Sequence, residues 1–354
     1  MQTWAMFVDA YRSLNAKKMF WIVMILSGVL VAAFACVGVN DSGIKILMVQ
    51  IDNAAVNAKQ VPPAEFYKLL FVSLGIQFWL GWLATILALI STAGIFPDLI
   101  ASGSIEMVLS KPMGRFRLFF TQYLAGLMFV TFQVVVFTAM CFLVIGWRGG
   151  AWEVGLFIAI PIVVCFFSYL FCVCVLFGIL TRSTLASLLL TFLCWFAFWI
   201  IGTAEETTRM FVTLERHHVS FAELQAESQA RQNPAAAPGA QPQGASAAAD
   251  GGTPEQAAEE SAGWLAKVHR LLYAVKTILP KTSETQQLLQ NCLMDMAKLP
   301  KRGGTNQNQR VVAAMQEVVE DARSRSVAWV VGTSLGFEAV VLAAAALVFC
   351  RRDF

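Results

Sequence analysis

Six stretches of this chain are too long and too apolar for the core of a water-soluble domain. They are Met19–Val39, Leu69–Phe96, Leu118–Gly146, Trp152–Leu180, Leu185–Thr203 and Val327–Cys350. A helix needs about 20 mostly apolar residues to cross bilayer hydrocarbon. In lipid every backbone polar group must be satisfied internally, which a helix achieves by itself. The expected fold is therefore an all-α integral membrane protein with six transmembrane helices. Composition agrees: 57% of residues are hydrophobic and only 14% are charged, against about 25% charged in a soluble domain. Pro161, inside the fourth stretch, predicts a kink there. The first stretch follows Lys17-Lys18 and contains Ala33-Phe34-Ala35, but it exceeds the 7–15 apolar residues of a cleaved signal. It is expected to be a retained span.

Basic flanks set orientation. Arg12, Lys17, Lys18, Lys111, Arg115, Arg117, Arg182, Arg351 and Arg352 fall on one side of a six-span layout. The short connections on the other side hold only Lys45, Lys59, Lys68 and Arg148. The richer side reads as cytoplasmic, so the N- and C-termini are both expected in the cytoplasm of a multi-pass cell-membrane protein. Residues 1–17 place Trp4, Phe7, Val8, Tyr11 and Leu14 on one helical stripe. An amphipathic helix lying in the interface is expected there.

Residues 204–326 form a long outer connection with thirteen basic and fourteen acidic residues. Met210, Leu214, His217, Phe221 and Leu224 mark a first amphipathic helix, and Trp264, Val268, Leu271, Leu272, Val275 and Ile278 a second, stopped by Pro280. Leu288, Leu289, Cys292, Leu293 and Met296 suggest a third, and Val311, Val312, Met315, Val318 and Val319 a fourth. Between the first two, residues 229–262 carry no aromatic residue and are rich in Ala, Pro, Gly and Gln. Such a segment cannot bury enough apolar area to offset its ordering entropy and is expected to be a disordered linker. The domain layout is thus 1–17 interfacial, 18–203 for spans one to five, 204–326 outer, and 327–354 for span six and a cytoplasmic tail.

The residues needed for chemistry are mostly missing. There is no G-x-x-x-x-G-K-[ST] phosphate loop, no H-E-x-x-H and no G-x-S-x-G. His217 and His218 are adjacent, so they do not share the i, i+4 face that a helical metal pair uses, and with His269 they are read as packing or surface residues. Of the eight cysteines only Cys292 lies in a long polar region, which gives no disulfide framework. Net charge is +3, which points to no nucleic-acid partner. No catalytic residue, metal site or cofactor is assigned to this chain. One charge does stand out: Glu338, near the middle of span six, where a carboxylate is costly. It reads either as a polar, ion or proton site in the membrane, or as a carboxyl group hydrogen-bonded to another helix. The aromatic run FLCWFAFWI, 192–200, reads as an interfacial belt.

The stretch GSIEMVLSKPMGRFRL, 103–118, sits between spans two and three. Pro97 is expected to end span two, and Asp98 to cap a short helix over about 98–112 that Pro112 terminates. Ile105, Met107, Val108 and Leu109 give that helix apolar contacts, while Arg115 and Arg117 anchor the start of span three. This resembles the permease subunits of ATP-binding-cassette exporters of the type-2 membrane family. Their corresponding helix reads roughly G-[TS]-[LI]-E-x-x-L-S-x-P-x-x-R, matched here by Gly103, Ser104, Ile105, Glu106, Leu109, Ser110, Pro112 and Arg115. The basic end Arg351-Arg352-Asp353-Phe354, the N-terminal amphipathic helix and the outer insertion between spans five and six are similar as well. Where the family often has Gly-Lys after the arginine, this chain has Thr121-Gln122.

The resemblance implies that 103–112, with Lys111 also in the contact, is a coupling helix that docks on a separate ATPase subunit. ATP and Mg would be bound by that partner. A second permease copy, identical or paralogous, would complete the unit, and the cargo would be an amphiphile exported from the cytoplasm or inner leaflet. Two alternatives stay open. One is a device of the same build that works on an extracytoplasmic partner through 204–326. The other is a carrier driven by an ion gradient through Glu338.

Overall fold

A computed structural model describes residues 18–40, 43–46, 49–52, 63–101, 114–150, 152–216, 270–277, 279–296 and 327–351. The expected interfacial helix at 1–17, the segment 102–113, the linker 229–262, the histidines at 217, 218 and 269 and the fourth outer helix lie outside these residues.

The fold is predominantly helical. Helix α1 is Lys18–Cys36, α2 is Pro63–Leu70, and a π-helical segment, Phe71–Leu83, joins α2 to α3, Ala84–Thr92. After a turn at 93–94 come α4 (Ile95–Ala101) and α5 (Arg115–Gly149). A 3-10 turn, Val154–Ile158, leads into α6 (Ala159–Thr181), which is followed by α7 (Thr184–Arg216). Helix α8 covers 270–277, α9 is Thr282–Met296 and α10 is Val327–Arg351. Among the described residues five stretches are long and apolar enough to cross a membrane: Glu65–Ile100, Arg115–Gly149, Val154–Thr181, Thr184–Thr213 and Val327–Arg351. The apolar helix Phe20–Cys36 is shorter. These helices carry large apolar side chains on their exposed faces as well as their buried ones, Phe116, Leu143, Leu189 and Val340 among them, as contact with lipid favours. In α1, Phe20, Val23, Ser27, Val31 and Phe34 form the buried stripe, while Trp21, Ile22, Ile25 and Val29 stay exposed.

Four local expectations change. Pro97 does not end the second span: the chain turns at 93–94 and helix α4 resumes with Pro97 in its first turn, where the missing N–H breaks no helical bond. Pro161 lies in the first turn of α6, just after the 3-10 turn, and not in mid-span. Helix α7 runs on to Arg216, so the start of the first expected outer helix is a continuation of span five. Finally, Val37–Asn40, Gly43–Ile46 and Val49–Asp52 pair as a three-stranded antiparallel meander, β1-β2-β3, with Val37 opposite Ile46 and Gly43 opposite Asp52. Its Val/Ile alternation is a strand signal, but the spacers Asp41-Ser42 and Leu47-Met48 are not the Asn-Gly or Asp-Gly pairs that announce a tight hairpin.

The chain divides into two compact units. The first contains residues up to 197, 280–300 and from 331 onward. At one pole of it Tyr67 Oη donates to the Val37 carbonyl (2.6 Å), Arg148 Nε donates to Tyr67 Oη (3.2 Å), and Lys68 pairs with Glu153 at 2.7 Å. These contacts gather the end of α1, the start of α2, the end of α5 and the approach to α6. At the opposite pole Phe96, Phe119 and Phe349 pack ring to ring, and Gly178 of α6 lies against Pro97. The successive helices therefore alternate in direction.

Helix α9 belongs to this first unit. It packs on the π segment and α6, buries Leu289, and donates from Gln286 Nε2 to the Gly81 carbonyl at 3.2 Å. The Lys281 amide donates to Ser334 Oγ of α10 at 3.0 Å. A π-helix accepts its hydrogen bonds five residues back and is rare outside functional or strained positions. Here Thr85 Oγ1 donates to the Leu80 carbonyl at 2.6 Å, which satisfies one acceptor where π geometry returns to α. Gly81 lets Gln286 approach: a Cβ at that position would stand 2.7 Å from Nε2. In the second unit, 198–279 with 301–330, Lys276 Nζ meets Glu205 at 2.7 Å with both side chains buried.

Candidate functional site

Glu338 sits at the twelfth position of the 25-residue α10 and is 8% exposed. The sequence marks it as costly; the structure shows what offsets the cost. Tyr123 Oη of α5 lies 2.7 Å from Oε1, and Ser168 Oγ of α6 lies 2.7 Å from Oε2. Both carboxyl oxygens are thus engaged, and three helices far apart in sequence meet at one residue. Ser168 Oγ also lies 2.8 Å from the Cys165 carbonyl, and Tyr123 Oη lies 3.5 Å from the Ser168 carbonyl.

Neighbouring packing fixes the tyrosine. Its ring stacks on Phe171 of α6 (5.2 Å, 12°), and Phe171 stacks on Phe167 (5.5 Å, 22°). The Phe171 ring rests on Gly126 of α5, where a Cβ would approach to 2.7 Å. A small residue on one helix and a large ring on the other let α5 and α6 close on each other. The stack holds the Tyr123 ring between α5 and α6 beside Glu338.

Chemically, this arrangement ties helices together. The two oxygens that would take an ion or exchange a proton with solvent already face protein hydroxyls, and all three residues are buried. Of the two readings of Glu338, the carboxyl bonded to other helices is the one with contacts to support it. Sequence inspection missed Tyr123 and Ser168. The available signal was that each is a polar residue inside an apolar run, in FTQYLAG and FFSYLF.

The second feature is the base of the segment between α4 and α5. Arg115, the first residue of α5, donates from Nη1 to the Cys350 carbonyl at the C-terminal end of α10 (3.2 Å). Carbonyls at a helix C-terminus have no intrahelical donor and carry the negative end of the dipole, so a guanidinium stabilises them. Phe96, Phe119 and Phe349, all nearly fully buried, pack around the same end with ring separations of 5.2, 5.9 and 6.3 Å. Gly103, Ser104, Ile105, Glu106, Met107, Val108, Leu109, Ser110, Lys111 and Pro112 lie outside the described residues; of the resemblance-based contact set only Arg115 is placed.

No protein-family model matches this chain, and no curated protein matches it.

Proposed function

We propose that this chain is the membrane-spanning permease subunit of an ATP-binding-cassette exporter, with six spans and both termini in the cytoplasm. It moves an amphiphilic cargo outward using ATP hydrolysed by a separate ATPase subunit, and works with a second permease copy. The observation that carries the reading is the stretch 103–115 with its matching residues, placed between two helices whose ends are fixed to each other and to α10. Such a base suits a coupling element, because a push on the short segment reaches α4, α5 and α10 together, whereas a floppy base would absorb it. A two-state machine needs a differential contact of this kind to bias its equilibrium. Helix α1, with 19 residues at about 1.5 Å each, is about 28 Å long and nearly matches the ~30 Å of hydrocarbon. It serves as the first span, with Lys18 at the interface.

The test is association. Glu106→Arg and Ile105→Asp fall between the apolar stretches, in the segment matched to the coupling helix, and leave the spans' own sequence unchanged. They are expected to reduce ATPase co-purification severalfold while the protein still inserts. Full ATPase recovery with both variants would remove the coupling role.

A second reading shares this build and directs the work to an extracytoplasmic partner through 204–326. The buried Lys276–Glu205 pair favours it, since it fastens α8 of the outer connection to the far part of α7. Replacing 263–279 with a flexible linker of equal length separates the two: unchanged activity rules out the extracytoplasmic device.

A further inference from the structure

Helices α1, α3, α5 and α6 and the π segment line a small cavity, with Phe167 of the Phe171 stack forming part of its wall. Its volume is about 20 Å³, room for one water-sized group. Its walls are mostly apolar, with Val23, Leu80, Val134 and Phe137 among them. Three polar side chains line it: Ser27, Thr85 and Gln133.

Gln133 is 7% exposed, and among the described residues its Nε2 has no hydrogen-bond partner. Leaving an amide donor unsatisfied in a protein interior is destabilising, and in hydrocarbon no bulk water relieves it. A leucine would fill the same space without that cost. Ser27 Oγ accepts the Trp79 indole N–H at 3.2 Å, which leaves the serine O–H as a donor. Thr85 gives its own proton to the Leu80 carbonyl, which leaves its oxygen as an acceptor only. The cavity therefore offers two neutral donors and no formal charge. An anion would lack a counter-charge and a cation would lack a carboxylate. Pure hydrocarbon would leave the amide unsatisfied.

We propose that this cavity is a binding site for a single neutral oxygen, held by Gln133 Nε2 and Ser27 Oγ. The oxygen is that of a water molecule: the cavity has room for one water-sized group, and Ser27, nine residues from Lys18, lies about 13 Å from the interface where lipid ester carbonyls sit. The site does not depend on the ATPase reading.

The experiment reconstitutes the full chain in phosphatidylcholine vesicles labelled with ¹³C at the ester carbonyls and compares infrared spectra of wild type and Gln133→Leu. A water band that moves in H₂¹⁸O, present in wild type and lost in Gln133→Leu, supports the site. A shifted ester band present in wild type and lost in Gln133→Leu would put a lipid carbonyl there instead and overturn the water assignment. Identical spectra in both arms overturn the site. Ser27→Ala keeps Gln133 in place and serves if Gln133→Leu fails to fold: it is expected to shift the water band part of the way towards the unbound position, and an unmoved band counts against the site.

Discussion

Replacing Glu338 by glutamine and by leucine separates a helix-tying role from an ion-handling one. A glutamine carbonyl accepts the Tyr123 hydroxyl in place of Oε1. Its NH₂ donates to Ser168 Oγ, and Ser168 then donates to the Cys165 carbonyl, 2.8 Å away. Every partner is satisfied, so Glu338→Gln should fall within about 0.6 kcal/mol of wild type, the average of one interhelical hydrogen bond in a membrane. Leucine satisfies none of this. Ser168 keeps its Cys165 acceptor, but Tyr123 is left with only the 3.5 Å approach to the Ser168 carbonyl. One orphaned buried hydroxyl costs about 1–3 kcal/mol, and Glu338→Leu should lose that much. The assay is reversible unfolding of the purified protein in bicelles, with Tyr123→Phe and the double variant closing a cycle. A coupling energy of about 0.6–1.7 kcal/mol is expected for the Tyr123–Glu338 pair. Equal destabilisation by glutamine and leucine, or zero coupling, would refute the hydrogen-bond account. Transport lost in Glu338→Gln at full stability would revive the gradient-driven carrier.

Other perturbations have signs fixed by the geometry. Gly126→Ala pushes a methyl into the Phe171 ring and should cost about 1–3 kcal/mol as overpacking; Phe171→Leu should recover part of it in the same unfolding assay. Gly81→Ala displaces Gln286 from its carbonyl and should lower stability by about 1 kcal/mol, with no added loss in a Gln286→Ala background. Arg115→Ala removes the donor on the Cys350 carbonyl and should cost about 1 kcal/mol, while Arg115→Lys recovers about half, measured by the midpoint of unfolding.

The helices that build the fold were legible because bilayer solvation leaves few options: long apolar runs must be helical, and their ends lie within a few residues of those expected in most cases. What sequence could not show was which side chain faces which. Glu338 was visible as a charge in the wrong solvent. Tyr123 and Ser168 are separated from it by 215 and 170 residues, and a helix apolar on every face has no stripe to say which side is inward. The π segment was equally hidden, since five-residue bonding needs no special residue; Gly75 and Gly81 lie in it, and glycine has many uses. The meander over 37–52 was readable: VGVN, GIKI and VQID alternate as strands do. The continuation of α7 past 203 was missed for another reason: polarity ends a membrane span, but it does not end a helix, and TAEETTRMFVTLER contains no breaker.

The central claim is that this chain moves its spans with energy supplied by another protein at 103–112. A photocrosslinking amino acid at Ile105, in the full chain within native membranes, tests it most directly. The account predicts one crosslinked partner whose sequence contains a phosphate loop and whose yield changes when ATP replaces ADP. Crosslinks to lipid alone, or to a partner without a nucleotide site, would contradict it.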